Sequence, residues 1–271
     1  MATVEPEPDL RALDAVEQFG AVDDFQLPGQ YRYVETHSWW AGTSGRFVSL
    51  VEHMERIWIP SDPDDPAQDW MLDRGPTGNR VWLRGNEEEA RAEGFWEPAP
   101  YPTIRVTAPC GNFYDSRPCD RHGSWQDPTA EFLAKLPRNP EHLLQQLHAA
   151  APAEGNRSAS ARIYSYIADM LRTGRIPAGL RTTLYQVLAR LPGIVVTVGV
   201  TDLHKRSGTA LGMDDGLHRR HLIIDPTTGA VLGERSVTSA STAWLPNDTV
   251  TTYTAVSTAV VPTLGTCPLL C

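Results

Sequence analysis

The strongest constraint on the fold of this chain is an order: strand-like segments, then helices, then strands again, with no regular βαβ alternation. Tyr31–Trp40 and Arg46–Pro60 are rich in aromatic and β-branched residues, and Ala41-Gly42-Thr43-Ser44-Gly45 between them reads as a hairpin loop. Asp69–Asp73 and Asn79–Arg84 follow as two short strands, with Arg74-Gly75-Pro76-Thr77-Gly78 as the turn joining them. Past the middle, Ile194–Asp202 alternates, with Ile194, Val196, Val198 and Val200 facing one way and Thr197, Gly199 and Thr201 the other. Ser207–Asp214, His218–Asp225, Ala230–Thr238 and Val250–Val261 complete the set, and Asp225-Pro226-Thr227-Thr228-Gly229 makes a tight turn.

The intervening stretch is helical by its start and stop signals. Asp127-Pro128 and Asn139-Pro140 each place a capping side chain before a proline at the first helical position. Ser158 caps a helix ending at Gly174, with Ile163, Ile167, Met170 and Leu171 on one face. Pro177 opens another, whose Leu180, Leu184, Val187, Leu188 and Leu191 recur at helical spacing until Pro192-Gly193. Segregated helices and strands predict an α+β domain: a single curved antiparallel sheet of about nine strands, since neither strand block fills a sandwich alone. The expected boundaries are an acidic stalk or linker over residues 1–26, one domain over 27–262 with an irregular cysteine-bearing insert at 86–126, and a tail at 263–271.

Charge and cysteines then narrow the partners and the compartment. The net charge of −9 is uneven, with residues 1–100 at −12 and residues 101–271 at +3. No basic patch is interleaved with aromatic residues, which argues against nucleic acid. Cys110, Cys119, Cys267 and Cys271 allow three connectivities; the expectation is local pairing, Cys110 with Cys119 and Cys267 with Cys271, in an oxidising compartment. Four free thiols in a cytosolic protein is the alternative. A zinc site from Cys110, Cys119 and His122 lacks a knuckle spacing. No apolar run approaches the ~20 residues of a membrane span. An extracytoplasmic ectodomain, attached only through an anchor upstream of Met1, is the expectation.

The search for chemistry yields little. His218 and His221 fall on opposite faces of a strand, and no HExxH, nucleophile elbow, P-loop or GxGxxG occurs. Nothing points to a cofactor, a metal or a catalytic residue. His37, His53 and Glu55 form the one polar cluster that a hydrolase or metal enzyme could use, and a satisfied sheet face is the simpler account. Six of the eight tryptophans fall within residues 39–96. Trp39, Trp40, Trp58 and Trp82 are the candidates for lining a groove for an apolar ligand or peptide, and packing against the helices is their competing role.

An ordered set of short motifs adds a resemblance. It comprises Pro28-Gly29-Gln30-Tyr31, Trp58-Ile59-Pro60, Pro76-Thr77-Gly78 before Trp82-Leu83, and Leu136-Pro137-Arg138-Asn139-Pro140. Leu171-Arg172-Thr173-Gly174, Leu191-Pro192-Gly193 and Asp225-Pro226-Thr227-Thr228-Gly229 continue it. Over about residues 27–262 the set resembles an actinobacterial family of uncharacterised membrane-anchored extracytoplasmic proteins. That family is in turn similar to the LolA, LppX and RseB group of lipoprotein carriers and sensors. The resemblance implies a half-barrel with helices packed on its concave face. It also implies a non-enzymatic sensor or carrier that binds a lipid-like hydrophobic ligand between sheet and helices. A protein-interaction domain that regulates a membrane-linked complex of the sigma-factor type, through a membrane protein partner, is the alternative. The cysteine segments are not family features.

Overall fold

The computed structural model describes residues 10–96, 103–114, 119–151 and 158–268. The first half of the chain forms α1 (Leu10–Glu17), β1 (Tyr31–Ser44), β2 (Phe47–Pro60), β3 (Asp69–Arg84), α2 (Glu87–Ala92) and β4 (Ile104–Pro109). Four helices follow: α3 (Ala130–Lys135), α4 (Pro140–Ala150), α5 (Ala159–Arg172) and α6 (Ala178–Arg190). The chain then returns to strands, β5 (Ile194–Thr201), β6 (Ser207–Asp214), β7 (His218–Ile224), β8 (Val231–Thr238) and β9 (Val250–Val261). Nine antiparallel strands with helices grouped apart from them make an α+β protein.

Two compact units share the chain. The first draws on Met1–Asp23 and His122–Ala240, the second on Asp24–Arg121 and Ser241–Cys271. In the first, β5–β6–β7–β8 lie side by side and the helices pack on them. Ile163, Ile167, Met170 and Leu171 of α5 and Leu180, Leu184, Val187 and Leu188 of α6 meet Leu211, Met213, Leu222 and Ile224 in one aliphatic core. Each such side chain contributes about 1.5–3 kcal/mol on burial. The caps are local: Ser158 Oγ accepts from the Ala161 N–H (3.1 Å), and Asn139 Oδ1 from Glu141 and His142. The α3 cap is Thr129 and not Asp127, whose carboxylate is engaged instead by Arg175 (2.9 Å).

Charge also ties α5 to the strands. Glu234 on β8 is buried, accepts from Arg172 Nε at 2.7 Å and faces Arg220 at 3.6 Å; Arg172 also pairs with Asp169 (3.0 Å). Burial alone raises the Glu234 carboxyl, but the two guanidinium groups outweigh it and hold it below its ordinary value.

Of the segment expected to be a stalk, residues 10–23 are part of this unit. Ala12, Val16 and Phe19 join the core, and the Phe19 ring meets Tyr185 edge-on at 5.5 Å. Asp23 then serves α6, which starts at Pro177 without a side-chain cap of its own. Its carboxylate accepts from the Ala178 N–H and from Arg181 Nη1, both at 2.8 Å. Residues 1–9 lie outside the described residues.

The second unit is a sheet in the order β4–β3–β2–β1–β9. β3 is continuous, so the turn expected at Arg74–Gly78 does not form. Met71–Pro76 and Arg80–Arg84 pair with the same strand, β2, in the same direction, whereas a hairpin turn would reverse the chain. Residues 77–79 leave the ladder as a bulge opposite Glu52; Pro76 has no N–H to offer, and Gly78 adopts φ +95°. β4 was not expected, lying between prolines in the segment read as irregular.

A disulfide joins Cys110 to Cys119, with Cα atoms 5.0 Å apart. The turn that carries it packs on Trp70, where a side chain at Gly111 would collide with the indole. Cys267 is also disulfide-bonded, but its expected partner Cys271 lies outside the described residues. Among those residues no helix is long and apolar enough to cross a membrane.

Candidate functional site

Antiparallel register decides which side chains of the second unit can cooperate, because directly opposed residues share a face. Tyr33 opposes Trp58, His37 opposes Met54 and Trp39 opposes Glu52. Ser38 opposes His53, Thr36 opposes Glu55 and Trp40 opposes Val51. His37 therefore lies on one face of the sheet, and His53 and Glu55 on the other. The cluster expected to serve a hydrolase is divided by the sheet itself.

The same register distributes the four tryptophans. Trp39 and Trp58 share the His37 face. Trp40 shares the opposite face with Trp82, which pairs with Ser49 beyond the bulge. Trp58 is fully buried against Tyr33 and donates from Nε1 to the Thr266 carbonyl (2.7 Å), beneath the tail residues Leu264 and Cys267. Trp40 donates to Ser38 Oγ (2.6 Å), and Trp82 packs edge-on against Phe47 with Arg80 over its ring. Of the four, Trp39 alone stands next to the polar network described below.

Three rows of side chains cross the His37 face. The apolar row is Tyr33, Trp58, Met71 and Val261. Next comes a row of alternating charge, Glu35, Arg56, Asp73 and Arg105, in register on four strands. Arg56 donates to Glu35 at 2.9 Å, Arg105 pairs with Asp73, and the Tyr33 hydroxyl donates to Glu35 at 2.6 Å. Burial, and then the Glu35 carboxylate, push the Tyr33 phenol well above its usual range.

Glu52 is the centre of the third row. His37 Nε2 lies 2.7 Å from Oε1, while the Thr77 hydroxyl and Asn79 Nδ2 (2.7 Å) donate to Oε2. Both donors come from the bulge, so the carboxylate is what gathers those out-of-ladder residues. Burial pushes Glu52 up; the hydrogen bonds from Thr77, Asn79 and His37 prevail and hold it below the usual carboxylate range. Trp39 directly opposes Glu52, and Tyr253 of β9 directly opposes Trp39. Asn79 is exposed, and its amide oxygen and second N–H point to no partner among the described residues.

This arrangement is unlike a nucleophilic triad, in which imidazole lies between hydroxyl and carboxylate. Here the carboxylate lies between the imidazole and the Thr77 hydroxyl, so His37 has no proton to take from that hydroxyl. No group of three metal-ligating side chains occurs among the described residues. What the row can do is bind: two opposed aromatic residues beside an amide and an imidazole fixed by a half-buried carboxylate.

Glu52, Thr77, Asn79 and Tyr253 escaped the sequence reading. For Thr77 and Asn79 the signal lies in the two halves of β3, which carry compatible strand patterns on either side of Pro-Thr-Gly-Asn; Glu52 on β2 and Tyr253 on β9 join them only through register. In comparisons with family models, curated proteins and solved structures, the chain matches none of them.

Proposed function

We propose that this chain is a non-enzymatic, extracytoplasmic sensor or carrier domain that binds an amphipathic, lipid-like ligand on the His37 face of the second unit. The observation that carries the reading is the opposed pair Trp39 and Tyr253 beside the Glu52-centred network. An apolar body would lie on the rings and a polar end on Asn79 and His37. The disulfide supports the compartment. The layer between helices and sheet in the first unit is a poorer location, because Leu184, Leu188, Leu211 and Leu222 already fill it at 0% exposure. The half-barrel likeness to lipoprotein carriers belongs to this proposal as well.

The test is calorimetric titration of the intact chain with a short-chain phospholipid below its micellar concentration. Trp39→Ala should weaken binding at least about tenfold, the effect of losing one well-buried aromatic contact. Trp40→Ala, on the opposite face, should leave affinity unchanged. Equal losses in the two variants, or no binding by the parent chain, would rule the proposal out.

A protein-interaction role in a membrane-linked signalling complex is the second reading, and β5 favours it. Among the described residues this uncharged strand, Ile-Val-Val-Thr-Val-Gly-Val-Thr, pairs only with β6, and Val195 and Val198 are 59% and 81% exposed. An open edge of that composition accepts an added strand. Pull-down from membranes should recover one stoichiometric partner, and Val198→Lys should abolish its recovery.

A further inference from the structure

Trp39 is the one tryptophan to which the described residues offer no specific partner. Trp40, Trp58 and Trp70 each donate from Nε1 to an oxygen atom of the chain. Trp82, Trp96 and Trp244 each carry an arginine over the ring, with the guanidinium carbon 5.4, 3.5 and 5.0 Å from its centre. Trp125 packs edge-on against Phe132 at 5.3 Å. Trp39 is half-buried, yet among the described residues it has no hydrogen bond, no aromatic contact and no cation over its ring. A buried indole usually finds such a partner.

The charge beside it is also unbalanced. Tyr253, Trp39 and Glu52 lie in register on β9, β1 and β2, on one face of the second unit's sheet. Burial raises the Glu52 carboxyl, and the hydrogen bonds from Thr77, Asn79 and His37 outweigh it, so the group is ionised at neutral pH. Its partners are thus a hydroxyl, an amide and an imidazole; among the described residues no lysine or arginine pairs with it. The arginines of the neighbouring charged row, Arg56 and Arg105, are matched by Glu35 and Asp73. Glu52 keeps 12% of its side chain exposed, so its charge is within reach of a ligand on this face.

The hydrogen bonds around Glu52 decide which kind of cation fits. Oε1 is engaged by His37 and Oε2 by Thr77 and Asn79, leaving about one of the roughly four acceptor positions of a carboxylate. A guanidinium or a primary ammonium needs several acceptors at once and would have to displace the donors that hold the bulge. A quaternary ammonium donates no hydrogen bond; opposite charge and aromatic surface for its methyl groups are sufficient. We infer that the polar end of the ligand on this face is a quaternary ammonium group, its methyl groups against Trp39 and Tyr253 and its charge balanced by Glu52. The inference rests on the ligand reading of the His37 face and specifies the head: the group that lies beside Asn79 and His37 is positively charged. Free choline and the phosphocholine head of a lipid present the same chemistry.

The test titrates the intact chain calorimetrically, at constant pH and ionic strength, with lipids below their micellar concentrations. The ligands are dihexanoylphosphatidylcholine, its isostere with a tert-butyl group in place of the trimethylammonium, dihexanoylphosphatidylglycerol, and choline. Phosphatidylcholine should bind at least about tenfold more tightly than the uncharged isostere or phosphatidylglycerol, the order of one desolvated cation–π contact. Glu52→Gln should remove that preference. The isostere comparison needs no variant, so it holds even if Glu52→Gln disturbs the bulge. Saturable binding of choline supports the inference with the free cation as ligand, and binding of phosphatidylcholine without choline supports it with the lipid head. An isostere or phosphatidylglycerol bound as tightly as phosphatidylcholine, or a preference unchanged by Glu52→Gln, would overturn the inference; the carrier proposal would stand if Trp39→Ala still weakened lipid binding. Binding of choline without any lipid would do the reverse, and no binding of any ligand would end both.

Discussion

In the first unit the sheet is backed by aliphatic side chains from α5 and α6, and its interior charges pair with one another around Glu234. In the second unit apolar residues form two small groups, around Trp58 and around Trp70, and the middle of the His37 face is charged and only half-buried. The contrast separates two tasks. Dense aliphatic packing supplies stability and leaves no group to meet a ligand. Cross-strand ion pairs and partly exposed aromatics contribute less per residue, because water competes for them, and they leave a chemically varied surface. The helix-facing side of the first unit is therefore the tightly packed part, and the His37 face of the second is the one that keeps polar and aromatic groups within reach of solvent.

The sharpest way to break that contrast is Glu234→Ala. It leaves Arg172 buried without its main partner, and the loss should be about 3–5 kcal/mol, read from urea unfolding. The pH dependence is equally specific. The folded Glu234 carboxyl titrates below its unfolded value, so its contribution is complete at neutral pH and disappears as pH falls through that lowered value. Glu234→Gln should flatten this acid limb of stability. The next largest effect belongs to the second unit: replacing Cys110 and Cys119 by serine opens a loop of sequence separation 9 and should cost about 2–3 kcal/mol. Amide exchange should show the loss around Trp70 and leave α5 and α6 protected. Thiol counting on unreduced, denatured protein should find close to none, which also checks Cys267.

The helices were legible in the sequence because their signals are local. Period, cap and stop all lie within one segment, as for Ser158 to Gly174. Most strands were legible for the same reason, since alternation needs only neighbours along the chain; β4, six residues set between prolines, was not. Pairing was not. Proline and glycine at 76–78 suit a turn and a bulge equally, and only the common partner β2 distinguishes them. His37 and His53 both alternate correctly on their own strands, yet the register that parts them depends on the hairpin between. The contribution of Asp23 to α6 spans 155 residues of sequence, so no local pattern could reveal that the acidic leader is built into the core.

Two smaller effects test those long-range contacts. Asp23→Ala removes both the acceptor for the Ala178 N–H and the partner of Arg181, and should cost about 1 kcal/mol, as lost caps do. A true stalk residue would cost nothing in the same unfolding measurement. Glu52 and Glu55 then compare the two faces of a single strand. Glu52→Gln disturbs three hydrogen-bond donors to a carboxylate and should cost about 1 kcal/mol or more, and it should loosen amide protection at 77–80. Glu55 is half-exposed, with only a 3.9 Å pair to Arg74, so Glu55→Gln should shift stability by no more than about 0.5 kcal/mol. The sign of the difference is the informative part. If Glu55→Gln proved the costlier change, the polar network that organises β3 would lie on the other face, and the site proposed around Trp39 would lose its foundation.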